Sequence, residues 1–358
     1  MKKTNKRRQS SKSLIVLIVL TAILMISSSY AWFTSNQTVT VDPIQVQVNA
    51  TNGLQISHNA FDWSAKVTAA QLKTASDNGY DAAKNFIPAV MLPASSPIRE
   101  IPSGTGRMEM YAGNVDTDED TGEYFLSSTL LADETQMVQR DPSDPDSTEG
   151  YYIVFDVFLK LDLPSKVYLK SSSNVTYTGD RSRGLENAAR VAFMNLGNVT
   201  ADQPSDAQSL ATNSGITLWE PNYDVHTATG AQNAISVYGV TGLGLTGQSR
   251  VPYRAVNKAF SNVNIKQTDA AHDTAANFID VTPDIATAKP TATPAANVAF
   301  PCLNNYDDPS DGSTELVMKS GITKLRVYMW IEGQDVDCEN NASGTSISYT
   351  FDITKLAS

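Results

Sequence analysis

Apolar side chains recur at every second position along several stretches of the chain. The longest such stretch covers residues 151–163, with Asp156, Lys160 and Asp162 among the even positions and an apolar residue at each odd position, namely Tyr151, Ile153, Phe155, Val157, Leu159, Leu161 and Leu163. Because the side chains of a strand alternate between the two faces of a sheet, this pattern predicts a long antiparallel strand with one face on a core. Pro164 cannot donate a ladder hydrogen bond and is expected to end that strand.

Two more alternating stretches lie near the C-terminal end, at residues 324–332 and 346–353, and they are interpreted as two strands that pair with each other. Helical composition is confined to short segments around residues 65–74 and 184–190. The sequence therefore predicts an all-β protein with one or two short helices. We expect residues 50–358 to form a single antiparallel β-sandwich domain, with long loop insertions near 58–150 and 226–300, including a polar stretch at 269–297.

The first residues combine a basic head with a short apolar run. Six basic residues and no acidic one precede the run, which extends from Leu14 to Ile26. As a helix this run would span only about 20 Å, less than the roughly 30 Å of a bilayer core. Ser29 and Ala31 form a small-x-small site, so residues 1–31 are predicted to be a signal peptide cleaved between Ala31 and Trp32. This interpretation predicts a secreted protein without a permanent membrane anchor; an uncleaved anchor over residues 14–33 is the alternative.

The charge of the mature chain excludes some partners. The chain has 27 basic and 38 acidic residues, and loss of the six leader cations leaves 21 against 38, a formal net charge of −17. Such a surface repels nucleic acid. The three histidines lie far apart in the sequence, and HExxH, GxSxG and Cys-His arrangements are missing from it. We therefore expect neither an enzyme nor a cofactor.

One acidic run resembles a calcium loop only in part. Asp116, Asp118 and Asp120 have the D-x-D-x-D spacing, but the glycine is Gly122, one place later than an EF-hand requires, and the twelfth position is Ser127. These three aspartates are a weak metal candidate. A solvated acidic loop fits the same residues better.

A strand-forming segment follows directly behind the predicted cleavage site, within residues 32–49. Its alternation slips by one residue at Asp42-Pro43, where a bulge or an edge position is expected because proline donates no hydrogen bond. Such a segment can pair with a neighbouring subunit or fold back into its own sheet, and both remain open. Its apolar residues are Val39, Val41, Ile44, Val46 and Val48.

The chain has two cysteines, Cys302 and Cys338. An exported protein meets an oxidising exterior, which favours a disulfide between them. Two buried or unpaired thiols are the alternative.

Three stretches resemble one family. The leader junction at residues 27–36 (SSSYAWFTSN), the segment 217–222 (TLWEPN) and the segment 330–340 (WIEGQDVDCEN) are similar to stretches of the SipW-dependent exported biofilm matrix proteins of Gram-positive bacteria, the TasA and camelysin group, closest to the BsaA type. The resemblance implies a jelly-roll-like fold and a subunit of matrix fibres or pili at the cell surface. It also implies donor-strand complementation through the N-terminal strand.

The same resemblance implies the partners: further copies of the chain, other matrix subunits, and a signal peptidase of the SipW type. Camelysin is described as a protease, so a camelysin-like surface protease is one alternative. A glycan-binding β-sandwich that uses Trp219 as a stacking platform is another, although a tryptophan at a strand end is more often part of a core.

Overall fold

The structure is a computed structural model that describes the chain in parts. The described residues are 39–41, 45–48, 53–73, 78–81, 84–94, 96, 100–101, 105–117, 124–131, 138–139, 143–144, 148–170, 172–178, 185–219, 265–267, 302–303, 316–333, 338 and 345–355. The predicted signal peptide, its cleavage site Ala31–Trp32 and the polar stretch 269–297 lie outside them.

Nineteen strands are present among the described residues. They are β1 Val39–Val41, β2 Gln45–Val48, β3 Gln55–Ser57, β4 Lys66–Thr68, β5 Val90–Met91, β6 Tyr111–Thr117, β7 Tyr124–Leu130, β8 Val138–Gln139, β9 Thr148–Gly150, β10 Ile153–Leu161, β11 Ser165–Leu169, β12 Asn174–Thr178, β13 Ala189–Val199, β14 Gly215–Trp219, β15 Ile265–Gln267, β16 Cys302–Leu303, β17 Leu316–Met318, β18 Gly321–Ile331 and β19 Thr345–Lys355.

The helices of the described residues are short. A five-residue α-helix, Ala69–Lys73, and a 3-10 helix, Leu185–Ala188, lie inside the two segments with helical composition. A third helix, Pro204–Ser209, was not predicted, because it buries only Ala207 and has no apolar periodicity. No helix in the described part of the chain is both long and apolar enough to cross a membrane. The prediction of an all-β protein with mostly antiparallel sheets is confirmed.

The strands form two large sheets and a small one. The six-stranded sheet has the order β16-β14-β13-β18-β10-β3, and β10 pairs with β18 over nine residues. The ten-stranded sheet is built around β19, which has β11 and β12 along one edge and β1 and β2 along the other. Strands β6, β7 and β15 form the third sheet.

The two large sheets pack face to face over one hydrophobic core. Phe155 and Val157 of β10 belong to the same buried cluster as Phe351 and Ile353 of β19. Ring contacts cross between the sheets, since Phe193 lies with its ring centroid 5.9 Å from that of Phe351. The predicted alternation of β10 thus places its odd residues in this core.

The second face of the six-stranded sheet is also buried, which the sequence did not predict. A cover, consisting of Tyr80, residues 105–110 and the helix Pro204–Ser209, packs on this face. Met108 contributes to a cluster with Val154, and Tyr80 to a cluster with Phe158. Asp156 is therefore buried at 1% exposure. Tyr80 and residues 105–110, which belong to the predicted insertion near 58–150, pack on the sheet as part of this cover.

The predicted pairing of the two C-terminal strands is wrong. β18 lies in the six-stranded sheet between β13 and β10, whereas β19 lies in the ten-stranded sheet. Both strands alternate because each has one face on the shared core. Alternation indicates that a strand has a buried face, but it does not indicate which strand is its hydrogen-bonding neighbour. The residues between them carry the chain from one sheet to the other.

Candidate functional site

The N-terminal segment lies inside the ten-stranded sheet. β1 pairs in parallel with β19 (Val39 opposite Thr345) and antiparallel with β5. β2 also pairs in parallel with β19 (Val48 opposite Ile353) and antiparallel with β4. Both halves of the segment therefore have a strand on each side. We call the slot between β19 and strands β4 and β5 the seat.

The register along β19 shifts by one residue within the segment. Val41 lies opposite Ile347 and Gln45 lies opposite Thr350, so four chain steps on the segment correspond to three on β19. Residues 42–44, which include Pro43 and the predicted donor-strand residue Ile44, lie outside the described residues. An extra residue on one strand is what a β-bulge requires. The bulge or edge position that the sequence predicts at Asp42-Pro43 stays a prediction, with which this one-residue shift agrees.

Val46 fixes the segment to the core. It is 1% exposed and lies directly opposite Phe351 of β19 and Val67 of β4, both of which are also buried. The floor of the seat is aromatic, because Trp219 and Tyr349 have their ring centroids 5.5 and 6.3 Å from that of Phe351. The structure describes the backbones of Val39, Val41 and Val48 but not their side chains.

Two polar atoms are buried in this aromatic floor. The indole nitrogen Nε1 of Trp219 and the hydroxyl of Tyr349 have no hydrogen-bond partner among the residues that the structure describes. Burial raises the pKa of Tyr349, so the phenol is neutral. Trp219 is completely buried and its ring is not available as a stacking platform for a glycan. The expectation of a core tryptophan is the correct one.

A charged cluster lies on the opposite side of the six-stranded sheet, under the cover. Arg326 of β18 lies directly opposite Asp156 of β10 and donates two hydrogen bonds to its carboxylate, at 2.7 and 3.0 Å. Lys324 contacts the same carboxylate, with Nζ 3.1 Å from Oδ2. All three side chains are less than 10% exposed. Two cations therefore share one buried anion.

The cluster joins the cover to the sheet. Lys324 Nζ donates to the carbonyl oxygens of Gln208 and Leu210 at 2.8 and 3.0 Å, at the end of the helix Pro204–Ser209. Arg326 donates to the carbonyl oxygen of Gly106 at 3.2 Å. The Tyr80 hydroxyl donates to Asp156 at 3.1 Å. Each part of the cover is thus held by a hydrogen bond to a charged group.

The protonation states of the cluster follow from this geometry. Burial alone would raise the pKa of Asp156, but the charges and hydrogen bonds of Arg326 and Lys324 outweigh it and lower the pKa to about 2. Burial lowers the pKa of Lys324 and the Asp156 charge opposes that shift. Burial, followed by the Asp156 charge, raises the pKa of Tyr80. Arg326 and Lys324 thus hold Asp156 in its ionised form, and the carboxylate is not poised to exchange a proton near neutral pH.

The weak metal candidate falls mostly outside the described residues. Asp116 lies in β6 opposite Phe125, and its side chain, like Asp118 and Asp120, is not described. Among the described residues no group of three or more His, Cys, Asp or Glu side chains could hold a metal ion.

The two cysteines belong to different parts of the fold. Cys338 is fully buried in the main core. Cys302 starts β16, where it lies opposite Leu218 of β14, and its side chain is not described. The disulfide between them stays a prediction.

We expect a disulfide between Cys302 and Cys338 in the exported protein. Closing a loop of this length contributes roughly 4 kcal/mol on the chain-entropy estimate. Mass spectrometry of non-reduced, alkylated protein checks for the bond, and labelling of both thiols would contradict it. Cys302→Ser should lower the melting temperature of the oxidised protein, whereas under reducing conditions it should not.

No protein-family model matches this chain, and neither does any curated protein or any solved structure.

Proposed function

We propose that this protein is a secreted structural subunit of extracellular biofilm matrix fibres or pili, with a jelly-roll-like β-sandwich, and that it polymerises by donor-strand complementation through residues 39–48. One observation carries the proposal: β1 and β2, close behind the predicted cleavage site, are each paired on both edges, and Val46 is buried at 1% exposure. A strand in this position can be supplied by the same chain or by another copy.

The seat has the two features that an acceptor site for a donor strand needs, namely unpaired backbone groups and a pocket for a side chain. Backbone hydrogen bonds come from β19 on one side and from β4 and β5 on the other, so an empty seat leaves two edges unpaired. Side-chain specificity comes from the buried position of Val46, next to Phe351. The segment lies close to the N-terminus of the predicted mature chain, so exchange between copies removes only β1 and β2 from each fold.

Exchange of identical segments also explains how a chain of subunits can grow by adding further copies. A segment that enters the seat of another copy remakes the contacts that it left, so each exchange is close to neutral in contact energy. The donor's own seat then accepts the next segment, and this head-to-tail arrangement produces a filament when it does not close into a ring. The partners under this proposal are further copies of the chain, matrix subunits with a compatible segment, and the leader peptidase.

Negative-stain electron microscopy of the mature chain, residues 32–358, tests the proposal together with light scattering. We expect unbranched fibres that grow with protein concentration. A preparation that stays monomeric at all concentrations, including after partial unfolding and refolding to release the segment, would contradict the proposal.

A further inference from the structure

Strand β4 forms one side of the seat, and among the described strands it pairs with β2 alone. Its residues Lys66–Thr68 lie antiparallel to Gln45–Gln47 of the N-terminal segment. When the segment leaves the seat, β4 therefore loses every ladder hydrogen bond of this pairing. Other contacts must then hold β4 in place if the seat is to accept a strand.

A short α-helix continues directly from β4 and is fixed to it. Thr68 lies at the start of this helix, and its backbone N–H and its hydroxyl both donate to Oε1 of Gln71, at 2.9 and 3.1 Å. Leu72 of the helix is 1% exposed and lies in the same buried cluster as Val46. Strand and helix thus form one unit, residues 66–73, which we call the β4 wall.

The side chain of Asn85 joins the β4 wall to the six-stranded sheet. Its Nδ2 donates to the carbonyl oxygen of Leu72 at 2.9 Å, near the C-terminal end of the helix. Its Oδ1 accepts from the backbone N–H of Asp156 in β10 at 3.0 Å. The last carbonyl groups of a helix have no partner within the helix, so the amide of Asn85 satisfies one of them.

Asn85 is itself fixed to the six-stranded sheet. The next residue, Phe86, forms a short antiparallel bridge with Val154 of β10 through two backbone hydrogen bonds, at 2.6 and 2.8 Å. The hydroxyl of Tyr80 lies 3.0 Å from Oδ1 of Asn85 and 3.1 Å from Oδ2 of Asp156. Donor groups therefore surround Oδ1, and they fix the orientation of the amide with Nδ2 towards the wall.

We propose that Asn85 is a positioning residue for the seat: it holds the β4 wall in place when the N-terminal segment is absent, so that the seat can accept a strand. Its role in assembly rests on the proposed function. An acceptor whose wall is already in place loses less conformational freedom on binding, and binding is stronger for that reason. The wall needs a side chain that donates to Leu72 while it accepts from Asp156, and an amide does both.

Hydrogen exchange of the mature chain, residues 32–358, tests this role by mass spectrometry at a concentration below that of fibre growth. Asn85→Ala should raise the exchange rate of residues 66–73 about fivefold, the effect of losing one neutral hydrogen bond. The rise should extend to residues 45–48, because they pair with the wall. The amides of β13 and β18, in the middle of the six-stranded sheet, should change much less.

Two further variants separate positioning of the wall from general stability. Asn85→Asp keeps an oxygen that accepts from Asp156, but when ionised it cannot donate to Leu72, and it should raise exchange of the wall at least as much as Asn85→Ala. Asn198→Ala is the matched control, because Asn198 of β13 is also half-buried and donates from Nδ2 to Thr323 at 3.0 Å. It should leave exchange of the wall unchanged.

The outcomes distinguish this inference from the proposed function. Unchanged exchange of residues 66–73 in both Asn85 variants, or a rise of the same size in every strand, would overturn the role of Asn85. Fibres of the unmodified chain together with that result would leave the proposed function standing. A selective rise in a chain that forms no fibres would refute the proposed function, and Asn85 would remain a positioning residue for the chain's own segment.

Discussion

Val46→Asp should prevent fibre formation by the mature chain and destabilise the monomer. Val46 is buried against Phe351 and Val67, and the described core cluster around it is made of hydrophobic residues. A carboxylate placed among these hydrophobic side chains is buried away from water, which is expected to cost several kcal/mol, about 3 to 5, whether the segment fills its own seat or another. Urea unfolding measures the loss of stability, and electron microscopy measures the loss of fibres. Val46→Thr, which keeps the shape and adds no charge, should be much milder.

Deleting residues 32–49 separates the segment from the body. The truncated protein should be a monomer with an open seat that cannot elongate, and a synthetic peptide of residues 38–49 should bind it. Trp219 provides the readout, since its ring lies 5.5 Å from Phe351, the residue opposite Val46. A change in tryptophan fluorescence on adding the peptide, but not on adding a Val46→Asp peptide, is the expected result. Fibres of normal length from the truncated protein would show that another surface drives assembly.

Most strands could be predicted from the sequence, because a strand with one buried face has an apolar residue at every second position. The pattern of residues 151–163 predicted β10, which spans Ile153–Leu161. The register along β19 shifts by one residue between Val41 and Gln45, the interval in which the sequence predicts a slip. Which strands are hydrogen-bonded neighbours could not be predicted from the same pattern. β18 and β19 both alternate, but they belong to different sheets, because the core between the sheets imposes the same period on each.

The charged cluster was missed because its signal is weak in a single sequence. Asp156 was assigned to the polar side of β10, yet it lies between Val154 and Phe158, which are both buried on that face. Lys324 and Arg326 occupy the matching positions of β18 and were interpreted as ordinary polar alternation. The sequence did contain a signal for this cluster. It is an acidic residue at an even position between apolar even positions of one strand, together with two cations at even positions of another strand. Only the cover, built from residues distant in sequence, makes these charges buried.

Asp156→Asn should be among the most destabilising single changes in the described part of the chain. It leaves Arg326 and Lys324 as two buried cations without their anion, and removal of one partner from a buried ion pair typically costs about 3 to 5 kcal/mol. Tyr80 also loses its charged acceptor. Urea unfolding at neutral pH measures the effect. Asp202→Asn, at an exposed carboxylate that accepts a hydrogen bond from Thr200, is the matched control and should change stability much less.

The same carboxylate should control acid stability. Its pKa is about 2 in the folded protein and about 3.9 in an unfolded chain, so the folded state favours the ionised form. The resulting stabilisation, on the order of 2 to 3 kcal/mol, is fully present above about pH 4 and is lost as the pH falls towards 2. The difference in unfolding free energy between the unmodified chain and Asp156→Asn should therefore shrink over this interval. A difference that stays constant from pH 5 to about pH 2 would mean that Asp156 is not held ionised by Arg326 and Lys324.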